Sequence, residues 1–149
     1  MTGARIEVTV DDAEARAALA RLVARAEDLT PVMDEIGGAL VLSTQRRFEL
    51  GAGPGGLAWK PSQRALAEGG KTLVDTARLL ASLTHRAGRD RVDVGTNVVY
   101  AAIHQFGGPA GRGLKTTLPA RPFLGLDDDD RREIVAIVGD AIRGAWAGT

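Results

Sequence analysis

"THRAGRDRVDVGTN", residues Thr84 to Asn97, is the stretch on which the fold class turns. Two extended pieces, Thr84 to Ala87 and Arg91 to Gly95, flank a Gly88-Arg89-Asp90 reversal, which predicts a β-hairpin. Helical patterns lie on both sides of it, so the expected class is α+β rather than all-helical.

Upstream of the hairpin, "ARIEVTV" alternates Ile6, Val8 and Val10 against polar residues, the period of a strand with one buried face. Asp11 or Asp12 then caps a helix that runs through Leu29, with Ala15, Leu19, Leu22, Val23 and Ala26 on its apolar side. Thr30 and Pro31 end that helix and begin a second, which runs to about Leu50, because proline suits a first helical turn. Gly37 and Gly38 inside it each cost on the order of 1 kcal/mol relative to alanine, so a close crossing or a bend is expected there. "GAGPGGLAWKPSQR" reads as a loop, Ser62 as the cap of a short helix ending at Gly69, and Asp75 to Leu83 as another short helix.

Downstream, "VVYAAIHQF" carries both helix-favouring alanines and β-branched residues, and leans toward a short helix. "GGPAGRGLKTTLPARPFLG" reads as irregular, with Leu114 to Leu118 extended. Asp127 to Asp130 precede a terminal helix whose apolar stripe is Ile134, Val135, Val138, Ala141, Ile142 and Ala145. Together these make one domain over residues 1–149. A small antiparallel sheet packs against two long N-terminal helices and a C-terminal helix, and two long glycine-rich loops, about 51–61 and 107–118, are expected to be mobile.

Lysine plus arginine and aspartate plus glutamate number 19 each, so no overall field draws the chain to nucleic acid or an anionic membrane. Cysteine is absent, which removes thiolate chemistry and suits folding in a reducing cytosol. No segment reaches the roughly 18 apolar residues a membrane helix needs, so a soluble protein without a membrane partner is expected. His85 and His104 stand in no metal-ligand spacing, no GxSxG presents a serine nucleophile, and "GAGPGG" lacks the GK[ST] of a phosphate loop. No cofactor is expected. Arg112, Lys115 and Arg121 are a small footprint for a phosphate backbone, and His104 reads more simply as a hydrogen-bonding packing residue than as a base.

Four blocks in order, "FELGAGPGGLAWKP", "LVDTARLLASL", "VGTNVVYAAIHQFGG" and "LPARPFLGL", precede the acid-capped terminal helix. In this the chain resembles the Mu-like phage virion morphogenesis, or tail-completion, proteins. The resemblance implies a non-enzymatic structural protein of the virion tail or neck, assembled in the host bacterial cytoplasm. It would act as a ring of copies at the head-proximal end of the tail, beside tail-tube or neck proteins, with transient DNA in the lumen as a further possible partner. By position, Trp59 matches the aromatic residue after the family's glycine-rich loop. Gly95, Tyr100, His104, Gln105, Phe106 and Gly107 match its central block, and Pro119, Arg121, Pro122 and Phe123 its PARPF block. These are the candidate interaction residues, with Arg121 and Phe123 presented from a proline-stiffened segment. The family's T-G-x-L block reads Thr76-Ala77 here, so a tighter or more helical turn is expected at Ala77. The rival reading is a hydrolase with His104 as general base, which needs an acid, nucleophile or metal ligand within reach of the ring. Another is a neck protein whose Arg112, Lys115 and Arg121 face DNA.

Overall fold

Pro31 lies in the first turn of a helix over Thr30–Leu50, entered from Leu29 and closed by Gly51 at φ 68°, whose N–H returns to the Arg47 carbonyl. In the computed structural model, residues 28–74 and 77–147 are described, with isolated positions 13, 16, 17 and 20; residues 145–147 are described by backbone alone. The strand expected at Ile6 to Val10 lies outside the described residues. So does the helix expected before Leu29, apart from helical backbone at Ala13, Arg16, Ala17 and Ala20.

The described elements are α1 (Thr30–Leu50), α2 (Gln63–Glu68), α3 (Arg78–Ala81), β1 (Thr84–Ala87), β2 (Val92–Gly95), α4 (Ala101–Phe106), β3 (Gly108–Ala110), β4 (Thr116–Leu118) and α5 (Asp128–Ala147). The α+β class holds. Its antiparallel part is two separate two-stranded ribbons, β1-β2 and β3-β4, among the described residues.

Helix α1 is the spine. Met33, Ile36, Gly37, Leu40, Thr44, Arg47 and Phe48 are buried, a three-and-four spacing that keeps one face inward. The β1-β2 hairpin lies on that face in the register Thr84↔Gly95 to Ala87↔Val92, closed by Gly88 N–H to Arg91 O at 2.7 Å. Gly37 is where the crossing is tightest. A Cβ there would sit 2.4 Å from His85 Cδ2 and 2.7 Å from Val92 Cγ2, whereas one at Gly38 would meet only His85 Cε1 at 4.0 Å. The expected close crossing therefore belongs to Gly37.

On α5, Ile134, Ile137 and Val138 are buried and Ala141 and Ile142 pack against them. Ile137 takes the inward place expected of Val135, because the stripe is set by which turn faces α1 and not by apolar character alone. The helix starts in a reciprocal cap: Asp127 Oδ1 accepts Asp130 N–H at 2.9 Å, and Asp130 Oδ2 accepts Asp127 N–H at 3.1 Å.

Three expectations change. Residues 107–118 form a hairpin instead of an irregular loop, pairing Gly108↔Leu118, Pro109↔Thr117 and Ala110↔Thr116. Its glycines supply the positive φ of the reversal, 76° at Gly111 and 69° at Gly113. Helix α3 is four residues long, shorter than Asp75 to Leu83, whose Asp75 and Thr76 lie outside the described residues. Ala77 is left-handed at φ 60°, so it holds a glycine-like conformation rather than a helical one. That costs alanine roughly 1–2 kcal/mol and stops the helix from extending backward. The 51–61 segment folds back through an Ala52↔Ala58 bridge around a turn at Pro54–Gly56. Ser62 caps α2 by accepting Ala65 N–H at 3.1 Å, as expected.

Candidate interaction site

Trp59, Gln105, Gly107 and the Pro119 to Phe123 segment meet in one clasp. Gln105, on the inner side of α4 and 9% exposed, accepts Phe123 N–H at 3.0 Å and Leu124 N–H at 3.1 Å through Oε1. Its Nε2 donates to Leu124 O at 3.0 Å. One side-chain amide thereby satisfies three backbone groups of a segment that has no ladder partner among the described residues, and each such group left bare inside would cost about 1–3 kcal/mol. Pro119 and Pro122 hold that segment extended, and Arg121 N–H donates to His104 O at 2.7 Å.

From the other side, Trp59 Nε1 donates to Pro122 O at 2.7 Å and Arg121 Nε to Lys60 O at 2.7 Å. Phe48 and Phe123, both fully buried, stand with ring centroids 5.5 Å apart, and the Trp59 ring meets Phe48 edge-on at 5.4 Å. Such pairs each contribute about 0.5–1.5 kcal/mol beyond burial. Gly107, at φ 70°, lets α4 turn against the segment: a Cβ would sit 2.7 Å from Ala120 N and 2.9 Å from Leu118 O.

Beneath the clasp Arg47 donates to Phe123 O at 2.8 Å and Gly125 O at 3.1 Å, and pairs with Asp130, which also takes the Ser43 hydroxyl. Burial by itself would raise the Asp127 carboxyl. The N–H groups of Asp130 and Gly55 and the Arg47 charge outweigh it and hold the group below the usual carboxylate range. Arg47, Phe48 and Asp130 are site residues that the motif blocks do not mark as such. The D-x-x-D spacing of Asp127 and Asp130 was a legible cap signal, and Arg47 sits seven residues after Leu40 on the apolar face.

Arg121 and Phe123 are thus turned inward, 5% and 0% exposed, where the sequence suggested presentation to a partner. The cause is hydrogen-bond demand, since an extended segment without a neighbouring strand takes its partners from side chains inside. Gly95 stands apart, at the end of β2 opposite Thr84. Several large apolar side chains stay outside the clasp: Phe106 is 68% exposed, Leu57 74% and Leu114 68%, with Val99 and Tyr100 also exposed. Arg112 and Lys115 are exposed near the β3-β4 turn, so Arg121 does not share a surface set with them.

His104 packs edge-on against Tyr100 at 5.8 Å, and its Nδ1 is buried without a hydrogen-bond partner. Burial, with the nearby Arg121 charge, holds the imidazole below its ordinary range. The carboxylate that would orient a general base is not on the ring among the described residues. Nor do the described residues gather a cluster of three metal-ligating side chains, and no described helix is long and apolar enough to cross a membrane.

The chain matches the phage virion morphogenesis family over residues 10–143, which takes in every member of the clasp. It belongs to that family. Its relatives within the phage virion morphogenesis family include the "Mu-like prophage FluMu G protein 2" of Haemophilus influenzae. That protein is 41% identical over 136 residues, 91% of this chain and 94% of the relative. The "Putative capsid assembly protein G" of Escherichia phage Mu is 36% identical over 124 residues, 72% of this chain and 73% of the relative. No solved structure matches. As a member of the phage virion morphogenesis family, the chain is a virion assembly protein, and the clasp is what its YAxxHQFGG and PARPFLG blocks build inside the subunit.

Proposed function

We propose that the protein completes the tail and joins it to the head, acting without catalysis as a ring of copies at the head-proximal end of the tail. Tail-tube or neck proteins are its neighbours, and DNA passes transiently through the lumen. The observation that carries this reading is the division of labour in the motif blocks. The Gln105 amide, the Trp59 indole and the backbone of the PARPF segment are satisfied inside the subunit, while Phe106 and Leu57 of the same blocks stand in solvent, exposed apolar side chains of the kind a partner covers.

The test is a phage carrying Phe106→Asp, a change at an exposed position that leaves the clasp bonds in place. Heads and tails should accumulate unjoined in negative-stain images, with infectivity reduced by orders of magnitude, while the purified variant unfolds at the wild-type denaturant midpoint. Intact, infectious virions from the variant would refute the assignment of this surface to joining.

A further inference from the structure

A cleft of about 420 Å³ opens beside the clasp, and Ser62, Arg64, Arg78, Tyr100, His104 and Arg121 line it together with apolar neighbours. Three arginines and a histidine stand in its wall, and among the described residues no aspartate or glutamate does. Arg121 is the anomaly. It is 5% exposed, its Nε is spent on the Lys60 carbonyl, and among the described residues no carboxylate pairs with it. Buried guanidinium groups ordinarily sit against a counter-charge, because desolvating an unpaired cation is expensive. Arg78 is stacked over the Tyr100 ring at 5.8 Å and is also without an ion pair among the described residues. The buried His104 Nδ1 has no partner. The wall is therefore built for an acceptor that the described part of the subunit does not provide.

We propose that this cleft is a socket for a carboxylate side chain of a second copy of the chain, offered by the acid-rich start of α5 at Asp128, Asp129 and Glu133. This rests on the ring reading and names the contact that would close it. The chain is balanced in charge, so a cationic hollow on one part is matched by acid elsewhere. The Asp128 and Asp129 side chains are 87% and 89% exposed. Their partners Arg131 and Arg132 lie three residues along the same helix, pairs worth little at a surface. None of the three acids lines the cleft. A basic hollow and an acidic corner on different parts of one subunit are what a head-to-tail contact requires, since such a contact joins two unlike patches and repeats into a ring. Arginine suits the role because its planar fork takes a carboxylate through two parallel N–H bonds. A carboxylate seated there would also favour a protonated His104, and so add a donor.

Sedimentation velocity at low salt tests this with wild type, Arg78→Glu, Asp129→Arg and the double variant. Arg78 is chosen because it is exposed and outside the clasp, whereas Arg121→Ala risks the fold. Each single reversal should weaken self-association by about tenfold, and the double should recover to within about threefold of wild type, as reciprocal charge pairs do. Added salt should weaken wild type as well. Singles that associate like wild type would overturn the socket and leave the ring reading standing. Weakened singles without recovery in the double would overturn the choice of α5 as donor. A wild type that stays monomeric at every concentration would overturn both. A parallel titration with duplex DNA covers the remaining case: if Arg78→Glu abolishes DNA binding and leaves association unchanged, the cleft holds phosphate and the carboxylate inference fails.

Discussion

Gln105→Leu isolates the clasp. The leucine fills similar space but strips partners from Phe123 N–H, Leu124 N–H and Leu124 O, at residues that are 0% and 5% exposed and so beyond the reach of solvent. At about 1–3 kcal/mol for each stranded group, reduced because the groups relax together and leucine gains about 1 kcal/mol from its own burial, the expected net loss is about 2–4 kcal/mol. With a urea slope of about 2 kcal/mol/M for a chain of this size, the midpoint should fall by about 1–2 M with the slope unchanged. Gln105→Glu makes a sharper comparison. It keeps the oxygen that faces the two N–H groups and sets a second oxygen against Leu124 O, so it should fall between wild type and leucine. A loss below about 1 kcal/mol for Gln105→Leu, at constant slope, would refute the view that this amide holds the PARPF segment in place.

Gly107→Ala should cost more than Gly51→Ala although both residues have positive φ. A methyl group at Gly51 would stand in open space, whereas at Gly107 it would meet Ala120 N at 2.7 Å. About 1 kcal/mol is expected at Gly51 from conformation alone and at least twice that at Gly107, read as denaturant midpoints. Acid should unfold the protein partly through Asp127. Its folded pKa lies below the unfolded value, so its contribution is complete above about pH 4 and is lost as pH falls through the lowered folded value. Asp127→Asn should therefore flatten the stability curve in that acid window and leave its shape unchanged at neutral pH.

How much of this was legible in advance varies with the physical range of the signal. The β1-β2 hairpin, the Pro31 start of α1, the Ser62 cap and the short α4 follow from residues within a few positions of one another, and the structure has them where the pattern placed them. The β3-β4 hairpin was hidden because four glycines in a short stretch raise backbone entropy and read as disorder of pattern, while pairing across the turn is a contact between separated residues. The same holds for Ala77. An alanine read locally predicts helix, yet the surrounding packing places it at positive φ.

The motif residues divide along the same line. Which residues mattered was visible in the order of blocks, since Trp59, Gln105, Arg121 and Phe123 all belong to them. Whether they face out or in was not, because orientation depends on partners 18 to 76 residues away along the chain, such as Gln105 to Phe123 and Arg47 to the Phe123 carbonyl. By itself the amino-acid order determined the class, the start of α1, the cap of α2 and the family-bearing blocks, since propensity, capping and periodicity act over one or two turns. Tertiary structure alone decided that the PARPF segment is an internal clasp and that an arginine-walled cleft stands beside it, because hydrogen-bond satisfaction and burial are properties of what lies next to a residue in space.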